Sequence, residues 1–355
     1  MKMYQSAASM FKNKKVLILG FGREGMSTYR FLRNMYPDMH LTIADKNEIK
    51  LDDKNVTLIC GDSYMDSLND FDIVMKSPGI AFLDVDIKDG TLVTCQTDLF
   101  LKFAPCRKVG ITGSKGKTTT STLIYDMLKE GGFDARLIGN IGVPVLEDIN
   151  TVTPETIAVI EMSSHQLEFT TSSPEVAVLT NIYEEHLDHY RDGFRGYVNA
   201  KLNIVRRQKE GDTFIYNATQ GLDGLCDLGK IKSHKVGVKK DAPLPFAVNN
   251  EHLLGEHNRQ DILFAFEAAV FILLQKVRIH NTLIAKKLSK ISKYGFGIYI
   301  VHYFVVGPIF ILIGKFDLPI PLQVPIMALL IFIISWAFTW FMYRILGERA
   351  KWIMG

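Results

Sequence analysis

The pattern of apolar and polar positions changes partway along the 355 residues of the chain. Up to about residue 260, short apolar runs alternate with segments of helical periodicity, which is typical of a mostly parallel sheet covered by helices. Strands are predicted at Lys15–Gly20, His40–Ala44, Asp72–Met75, Lys108–Thr112, Ile157–Glu161 and Val176–Thr180, with further short strands between Asp212 and Asn250. Helices are predicted at Met26–Met35, at about Thr119–Glu130 and at Ile262–Leu274, the last being too short to cross a bilayer.

From residue 294 the pattern becomes that of a membrane protein. Two segments, Tyr294–Gly314 and Val324–Leu346, are long and apolar enough to span a bilayer. Lysines and arginines flank the pair on its outer sides, and the proline-rich turn between them carries little charge. The positive-inside rule therefore predicts a hairpin over residues 294–346 with both ends in the cytoplasm. His302 lies within the first span, where an ionisable side chain is functional by default.

Charge and cysteine content narrow the functional classes. The formal net charge of +3 is too small to indicate nucleic-acid binding. The 4 cysteines are far apart and form no C-x-x-C pair, which argues for a reducing compartment and against a disulfide framework or a zinc site. The first residues lack the apolar core of a signal peptide. We therefore expect residues 1–260 to be cytoplasmic, and to be tethered to the inner face of the membrane if the hairpin inserts.

The strongest chemical signal is the segment GITGSKGKTTT at residues 110–120, between a predicted strand and a predicted helix. Gly113 and Gly116 allow backbone N–H groups to turn toward phosphate oxygens, and the helix N-terminus adds a favourable potential. Lys117 is predicted to neutralise the β- and γ-phosphates of a nucleotide, and the Thr118 hydroxyl to reach Mg²⁺. The spacing departs from the general phosphate-loop pattern because Ile111 occupies the position of the first glycine.

A second glycine-rich loop, GFGREG at residues 20–25, follows the first strand, and Asp45 ends the next strand. Taken alone, this arrangement indicates either a dinucleotide site with the aspartate on a ribose or a tight turn without a ligand.

Glu161, His186 and Lys201 form a candidate metal and phosphate cluster. A carboxylate and an imidazole can hold Mg²⁺ beside the phosphates of ATP. The alternative is a structural histidine on a solvated acidic face.

In their order along the chain, these segments resemble the Mur ligases from about Lys14 to Phe266, and in particular those that add D-glutamate to UDP-N-acetylmuramoyl-L-alanine. GITGSKGKTTT is similar to the family's ATP loop, and EMSSHQL and NIYEEHLDHY are similar to its two magnesium segments. The resemblance implies an α/β protein with a Rossmann-like UDP-substrate domain (1–105) and a P-loop-type central domain (106–260). A junction helix with a basic linker (261–293) and a transmembrane hairpin (294–355) would follow.

The resemblance also implies a role for each motif. Lys117, Glu161, His186 and Lys201 are implied as catalytic, with Lys201 carbamylated, and Thr118, Glu161 and His186 are implied as Mg²⁺ ligands. The residues implied to bind ATP are Gly113, Ser114, Lys115, Gly116, Lys117, Thr118, Thr119, Asn217, His257 and Asn258. The residues implied to bind the UDP-muramoyl substrate are Gly20, Phe21, Gly22, Asp45, Ser77, Pro78, Gly79, Asn140 and His186.

The implied reaction transfers the γ-phosphoryl group of ATP to the alanyl carboxylate, after which the D-glutamate amine attacks the acyl phosphate. The resemblance does not extend to the family's third domain, which binds the incoming amino acid. From about Phe271 the chain instead resembles the end of a membrane acyltransferase that O-acylates cell-surface carbohydrates, in ISKYGFGIYIVHYF and RILGERAKWIMG. We therefore expect ATP to bind and full ligation to be weak or absent.

Other interpretations stay open. The chain is alternatively a membrane-tethered nucleotide-binding module without turnover, or an acyltransferase remnant with a soluble passenger. A further alternative is a chimera of two unrelated coding sequences joined between residues 267 and 276. An NAD-dependent enzyme ranks lower, because the loop of Lys117 then has no explanation.

Overall fold

The computed structural model describes residues 7, 9–222, 224–244, 255–276 and 320–346. The chain divides into two compact units, Met1–Leu274 and Gln275–Gly355. The described part of the first unit contains two parallel sheets, of five and six strands. The finer division into four parts stays a prediction.

The first sheet has the strand order β3-β2-β1-β4-β5, and every pair of neighbours is parallel. Its strands are β1 (Val16–Leu19), β2 (Leu41–Asp45), β3 (Val56–Cys60), β4 (Ile73–Lys76) and β5 (Leu92–Thr94), and the helices of this part are α1 (Arg23–Met35) and α2 (Gln96–Phe103). The two strands that the sequence did not predict, β3 and β5, are the edges of the sheet. Strand β3 is apolar in sequence, VTLIC, but is partly or fully exposed along its whole length, as fits the edge of a sheet.

The second sheet has the strand order β11-β10-β9-β6-β8-β7 and is also parallel throughout. Its strands are β6 (Arg107–Thr112), β7 (Ala135–Gly139), β8 (Ile157–Glu161), β9 (Val176–Leu179), β10 (Thr213–Asn217) and β11 (His234–Val238). Its helices are α3 (Lys117–Glu130), α4 (Val145–Asp148), α5 (Ser164–Leu167), α6 (Gly193–Arg206) and α7 (Glu256–Lys276). Single 3₁₀ turns lie at Leu68–Asp70, Leu187–His189 and Leu228–Lys230.

Both faces of the second sheet are covered, which explains the continuous apolar runs of its central strands. On one face, Val109 and Ile111 of β6 pack in a cluster with residues of α3 and α7. Helix α7 begins at Glu256, earlier than the predicted start at Ile262. The prediction started late because the first turn of the helix is polar and carries no apolar periodicity. Further along, α7 buries Phe264 and Ala268 in the same cluster.

The second unit contributes one described helix, α8 (Ile320–Leu346), which covers the second predicted span, Val324–Leu346. Over the part of the chain that the structure describes, no helix combines the length and apolarity needed to cross a membrane. The predicted transmembrane hairpin is therefore not confirmed. The first predicted span, Tyr294–Gly314 with His302, lies outside the described residues.

Candidate functional site

The carboxyl ends of neighbouring strands of the second sheet meet at one edge. In the register of the sheet, Glu161 of β8 lies opposite both Ile111 of β6 and Gly139 of β7. On the other side of β6, Thr112 lies opposite Leu179 of β9. The loops that leave these strands therefore start side by side, at the edge where open α/β sheets bind their ligands.

The phosphate loop, residues 113–116, is fixed by the loop that follows β9. The Thr180 hydroxyl donates to the carbonyl of Lys115 at 2.6 Å and fills the space that a side chain on Gly113 would need. Asn181 accepts from the backbone N–H of Ser114 at 3.0 Å and, through Oδ1, from that of Lys115 at 2.8 Å. The N–H groups of Ser114 and Lys115 are thus bonded to Asn181. The first turn of α3 is able to offer its own backbone N–H groups to a phosphate.

Two lysines converge on this loop. Lys117 Nζ donates to the carbonyls of Gly113 and Ser114 at 3.0 and 3.1 Å, and Lys201 Nζ, from α6, donates to the same Gly113 carbonyl at 2.8 Å. Burial lowers the pKa of Lys117. Burial and then the charge of Lys117 lower the pKa of Lys201 to about 7, so this amine is largely neutral above that pH. Lys115 instead points to solvent and pairs with Glu185 at 2.6 Å.

Glu161 is a buried carboxylate, 1% exposed, at the end of β8. It accepts from the Thr118 hydroxyl at 2.9 Å and from the side-chain amide of Asn140 at 2.8 Å. The structure thus brings Thr118 and Glu161 together, as expected for metal ligands. It places Asn140, which the resemblance implied for the substrate, beside Glu161 as well.

The residues present fit Mg²⁺. Hydroxyl and carboxylate oxygens are the ligands that Mg²⁺ prefers, and this ion usually takes one or two carboxylates and completes its shell with water and phosphate. Among the described residues, no group of three or more His, Cys, Asp or Glu side chains is placed to hold a metal. The donor set of Thr118 and Glu161 therefore suits an ion shared with nucleotide phosphates.

His186 is exposed, has a left-handed backbone (φ 54°), and belongs to a row of three imidazoles. The ring of His165 lies 4.9 Å from that of His186 and 3.9 Å from that of His189, between centroids. Burial and the two neighbouring histidines lower the pKa of His165 to about 4. Sequence reasoning missed His165 and His189, whose proximity depends on the meeting of two loops.

Asn217, implied near the adenine, is held at the end of β10 by bonds within the protein. Its side-chain N–H group donates to the carbonyl of Thr180 at 3.0 Å, and its Oδ1 accepts from Gln260 Nε2 at 2.9 Å. Gln260 belongs to the first turn of α7, which also contains the exposed His257 and the half-buried Asn258.

The residue after Gln260, Asp261, reaches the phosphate loop. A Cβ on Gly116 would lie 2.5 Å from Asp261 Oδ1 and 2.9 Å from Oδ2. Burial raises the pKa of this carboxyl to about 7. The phosphate loop, the end of β10 and the start of α7 therefore meet at one place, and sequence reasoning had missed Asp261.

The first sheet carries a separate cavity of about 400 Å³ at the carboxyl ends of β1, β2 and β4. Its lining includes Gly20, Gly22, Asp45, Ser77, Pro78 and Gly79, all implied as substrate contacts. Asp45 accepts from the backbone N–H of Phe21 at 2.7 Å, and the Ser77 hydroxyl donates to the Gly20 carbonyl at 3.0 Å. The Phe21 ring packs against Tyr29, with the centroids 6.0 Å apart.

The fold and the loop define the first unit as a parallel α/β protein of the phosphate-loop type. Its family follows from comparison with known proteins. Residues 14–93 match the model of the Mur ligase MurD-like, N-terminal domain, and residues 111–243 match the Mur ligase middle domain. Residues 14–243 therefore carry the N-terminal and middle domains of the Mur ligase family. Residues 243–340 match an acyltransferase domain, which confirms that resemblance from an earlier residue than Phe271.

Curated relatives agree with this assignment. The chain is 33% identical over 285 residues to a UDP-N-acetylmuramoylalanine–D-glutamate ligase of Clostridium kluyveri, and 38% identical over 218 residues to that of Acetivibrio thermocellus. The alignments cover 72% and 58% of this chain, and 61% and 46% of the relatives. The chain therefore spans about three fifths of the first relative's length. A structure of UDP-N-acetylmuramate:L-alanyl-gamma-D-glutamyl-meso-diaminopimelate ligase from Neisseria meningitides aligns with a TM-score of 0.44 at 16% identity, covering 73% of this chain and 94% of that one.

A matched pair of glycines tests the phosphate loop. Gly116 and Gly132 have similar left-handed backbones (φ 81° and 75°), but only Gly116 has a neighbour, Asp261, where a Cβ would stand. Alanine at either position is expected to lower the free energy of unfolding by about 1 kcal/mol through backbone strain. Only Gly116→Ala should also weaken ADP binding, by about tenfold or more. Denaturant unfolding and calorimetry measure both effects, and equal ADP affinity in the two variants would contradict the assignment.

The buried amine of Lys201 predicts a pH dependence of stability. With the pKa lowered from 10.5 to about 7, the unfolded chain holds a proton that the folded chain lacks between these values. The lysine's contribution to the free energy of unfolding therefore rises with pH across this window, by up to about 1.4 kcal/mol per pH unit. Below about pH 7 the folded chain also holds the proton, and the full free-energy cost of a buried charge remains.

Lys201→Met lacks this group and serves as the reference. Its stability advantage over the parent should shrink by up to about 2 kcal/mol between about pH 7.5 and 9. Urea unfolding in CO₂-free buffer measures the difference. An advantage that stays constant would mean that Lys201 titrates at its ordinary pKa.

Proposed function

We propose that the first unit binds Mg-ATP at the phosphate loop and the UDP-muramoyl substrate at the first-sheet cavity, as an ATP-dependent amide ligase of peptidoglycan precursor synthesis. The observation that carries the proposal is the convergence of Lys117, Lys201, Thr118 and Glu161 on one sheet edge. The similarity to D-glutamate ligases supports UDP-N-acetylmuramoyl-L-alanine and D-glutamate as the substrates.

The chemistry asks the site mainly for positioning and for charge neutralisation. The alanyl carboxylate attacks the γ-phosphorus of ATP and ADP leaves, giving an acyl phosphate. The D-glutamate amine then attacks the acyl carbon, and phosphate leaves as the amide forms. Lys117 is placed to compensate the negative charge of the phosphates, since its Nζ donates to backbone carbonyls of the loop. Mg²⁺, held by Thr118 and Glu161 with His186 as a further candidate, would supply additional positive charge.

We further propose that Lys201 is carbamylated. A neutral amine can add CO₂ with loss of one proton, and the lowered pKa provides that neutral form near physiological pH. The product would be an anion on a side chain that is 2% exposed and directed at the phosphate loop. Such an anion would pair favourably with Lys117 and would help to orient a metal ion on the loop.

The first-sheet cavity has the size of a small-molecule site. Its volume of about 400 Å³ falls within the usual range for such sites. It opens at the glycine-rich turn that begins α1, where backbone N–H groups and the helix N-terminus favour an anionic group such as a pyrophosphate. Arg23 also lines the cavity and adds a positive charge.

Two lysines of the phosphate loop test nucleotide binding. Lys117 donates to the loop itself, whereas Lys115 is 73% exposed and pairs with Glu185 at the rim. Lys117→Ala should raise the Kd for ADP, measured by calorimetry with Mg²⁺, about tenfold or more, because a charge-assisted contact to phosphate is lost. Lys115→Ala should change it little, since a rim ion pair contributes little. Unchanged affinity in Lys117→Ala would refute the nucleotide assignment.

Trapping with hydroxylamine tests the first chemical step apart from amino-acid binding. The full chain is incubated with Mg-ATP, UDP-N-acetylmuramoyl-L-alanine and hydroxylamine, which converts an acyl phosphate into a hydroxamate and phosphate. We expect the hydroxamate by mass spectrometry in the parent and at least about tenfold less in Lys117→Ala. ADP binding without any hydroxamate would favour the nucleotide-binding module over the ligase.

A further inference from the structure

A short connector, residues 161–171, joins the two candidate sites. It begins at Glu161, which contacts the phosphate loop through Thr118, and continues through α5. Ser163 and Gln166 form a capping box that closes this single helical turn. Glu161 and α5 are therefore separated by only two residues, one of them held in the cap.

The connector is bonded to the first-sheet cavity from two directions. Gln166 Nε2 donates to the carboxylate of Glu24 at 2.7 Å, and Glu24 lines the cavity. Glu168 accepts from Lys76 Nζ at 3.1 Å, and Lys76 immediately precedes the cavity residue Ser77. Glu24, at the start of α1, and Lys76, at the end of β4, thus lie on two sides of the first-sheet cavity.

The same turn contacts the histidine row. Glu168 Oε2 lies 3.3 Å from His189 Nε2, and the His165 ring lies 3.9 Å from that of His189 and 4.9 Å from that of His186. Glu168 therefore contacts both Lys76, next to the cavity, and His189, in the loop that carries a candidate metal ligand.

The Lys76–Glu168 ion pair costs free energy of desolvation, and a merely structural contact would not require that cost. The side chains are 2% and 17% exposed, and Lys76 also lies over the rings of Phe82 and Phe169 at 5.5 and 5.3 Å. Burial lowers the pKa of Lys76, and the charge of Glu168 offsets part of that effect. Apolar side chains of similar size often stabilise a buried position as well as an ion pair does. An ion pair, in contrast, fixes the relative orientation of its two side chains.

We propose that the connector couples the two sites, with Lys76, Gln166 and Glu168 as positioning residues that transmit occupancy of the first-sheet cavity to Glu161 and the histidine row. This inference rests on the proposed function, which fills the cavity with the UDP-muramoyl substrate and the loop with a nucleotide. A substrate that moves Glu24 or the Ser77 loop displaces the bonded side chains of α5. The turn is short and capped, so that displacement reaches Glu161.

A comparison of ADP affinities tests the coupling in the full chain. The Kd for ADP with Mg²⁺ is measured by calorimetry with and without saturating UDP-N-acetylmuramoyl-L-alanine. In the parent, the two values should differ at least about fivefold, the usual lower range for coupled sites. Lys76→Met and Glu168→Gln should each bring the ratio of the two Kd values close to one. The double variant should give the same ratio as the single variants. Lys76→Arg should retain the parental ratio.

Arg191→Met is the matched control. Arg191 joins the same two parts of the chain through the carbonyls of Leu83 and Val85 and the carboxylate of Asp86, and these hydrogen bonds involve no residue of the connector. Its loss should lower the unfolding midpoint but keep the ratio of Kd values. A ratio near one in the parent with both ligands bound, or a parental ratio in Lys76→Met and Glu168→Gln, would overturn the coupling and leave the proposed function intact. Failure of either ligand to bind the parent would instead refute the proposed function.

Discussion

The candidate active site depends on the parallel register of β6 with β8 and β9. Because Ile111 is opposite Glu161 and Thr112 is opposite Leu179, the phosphate loop begins beside both the buried carboxylate and the segment of Thr180 and Asn181. A shift of one residue in β8 would turn Glu161 to the other face of the sheet and carry the Thr118 contact away. The apolar residues on both faces of the central strands make such a shift costly, since every side chain would exchange its surroundings. Core packing therefore sets the geometry of the polar edge.

Burial then sets the chemistry of that edge. Lys201 and Glu161 are both nearly inaccessible to solvent. Lys201 donates to the Gly113 carbonyl, and Glu161 accepts from Thr118 and Asn140. The amine nevertheless loses much of its affinity for a proton, because one carbonyl and a neighbouring ring cannot replace water around an ammonium group. Lys201 from α6 and Lys117 from α3 thus share the Gly113 carbonyl, and burial lowers the pKa of Lys201 to about 7. That shift arises from depth in the structure, and two lysines in a sequence give no sign of it.

The strands that sequence reasoning missed, β3, β5 and β7, all lie at sheet edges, whereas the central strands and the remaining edge strand, β11, fall within predicted segments. A central strand of a covered parallel sheet is buried on both faces and is apolar throughout, whereas an edge strand such as β3 is partly or fully exposed along its whole length. The same contrast holds for the site. The phosphate loop is recognisable because glycine, lysine and threonine act within a few residues of each other. Asn181, Tyr197 and Asp261 reach that loop from distant segments, so only the topology brings them to it. The Ser163–Gln166 capping box, which sequence reasoning did not single out, marks the turn that links the two sites.

Helix α7 shows that a family match and a structural boundary need not coincide. The acyltransferase match begins at residue 243 and thus includes this helix, but the helix packs as part of the Mur-like sheet. Phe264, Ala265 and Ala268 are at most 1% exposed, in one cluster with residues of β6, β8 and β9. The beginning of this helix bonds Asn217 through Gln260 and places Asp261 against the phosphate loop. Removing a helix that fills the core in this way would open a cavity beneath the sheet and would release one side of the loop. The physical end of the Mur-like part is therefore near Leu274, where the first compact unit ends, and any dissection of the chain has to keep α7 with the sheet.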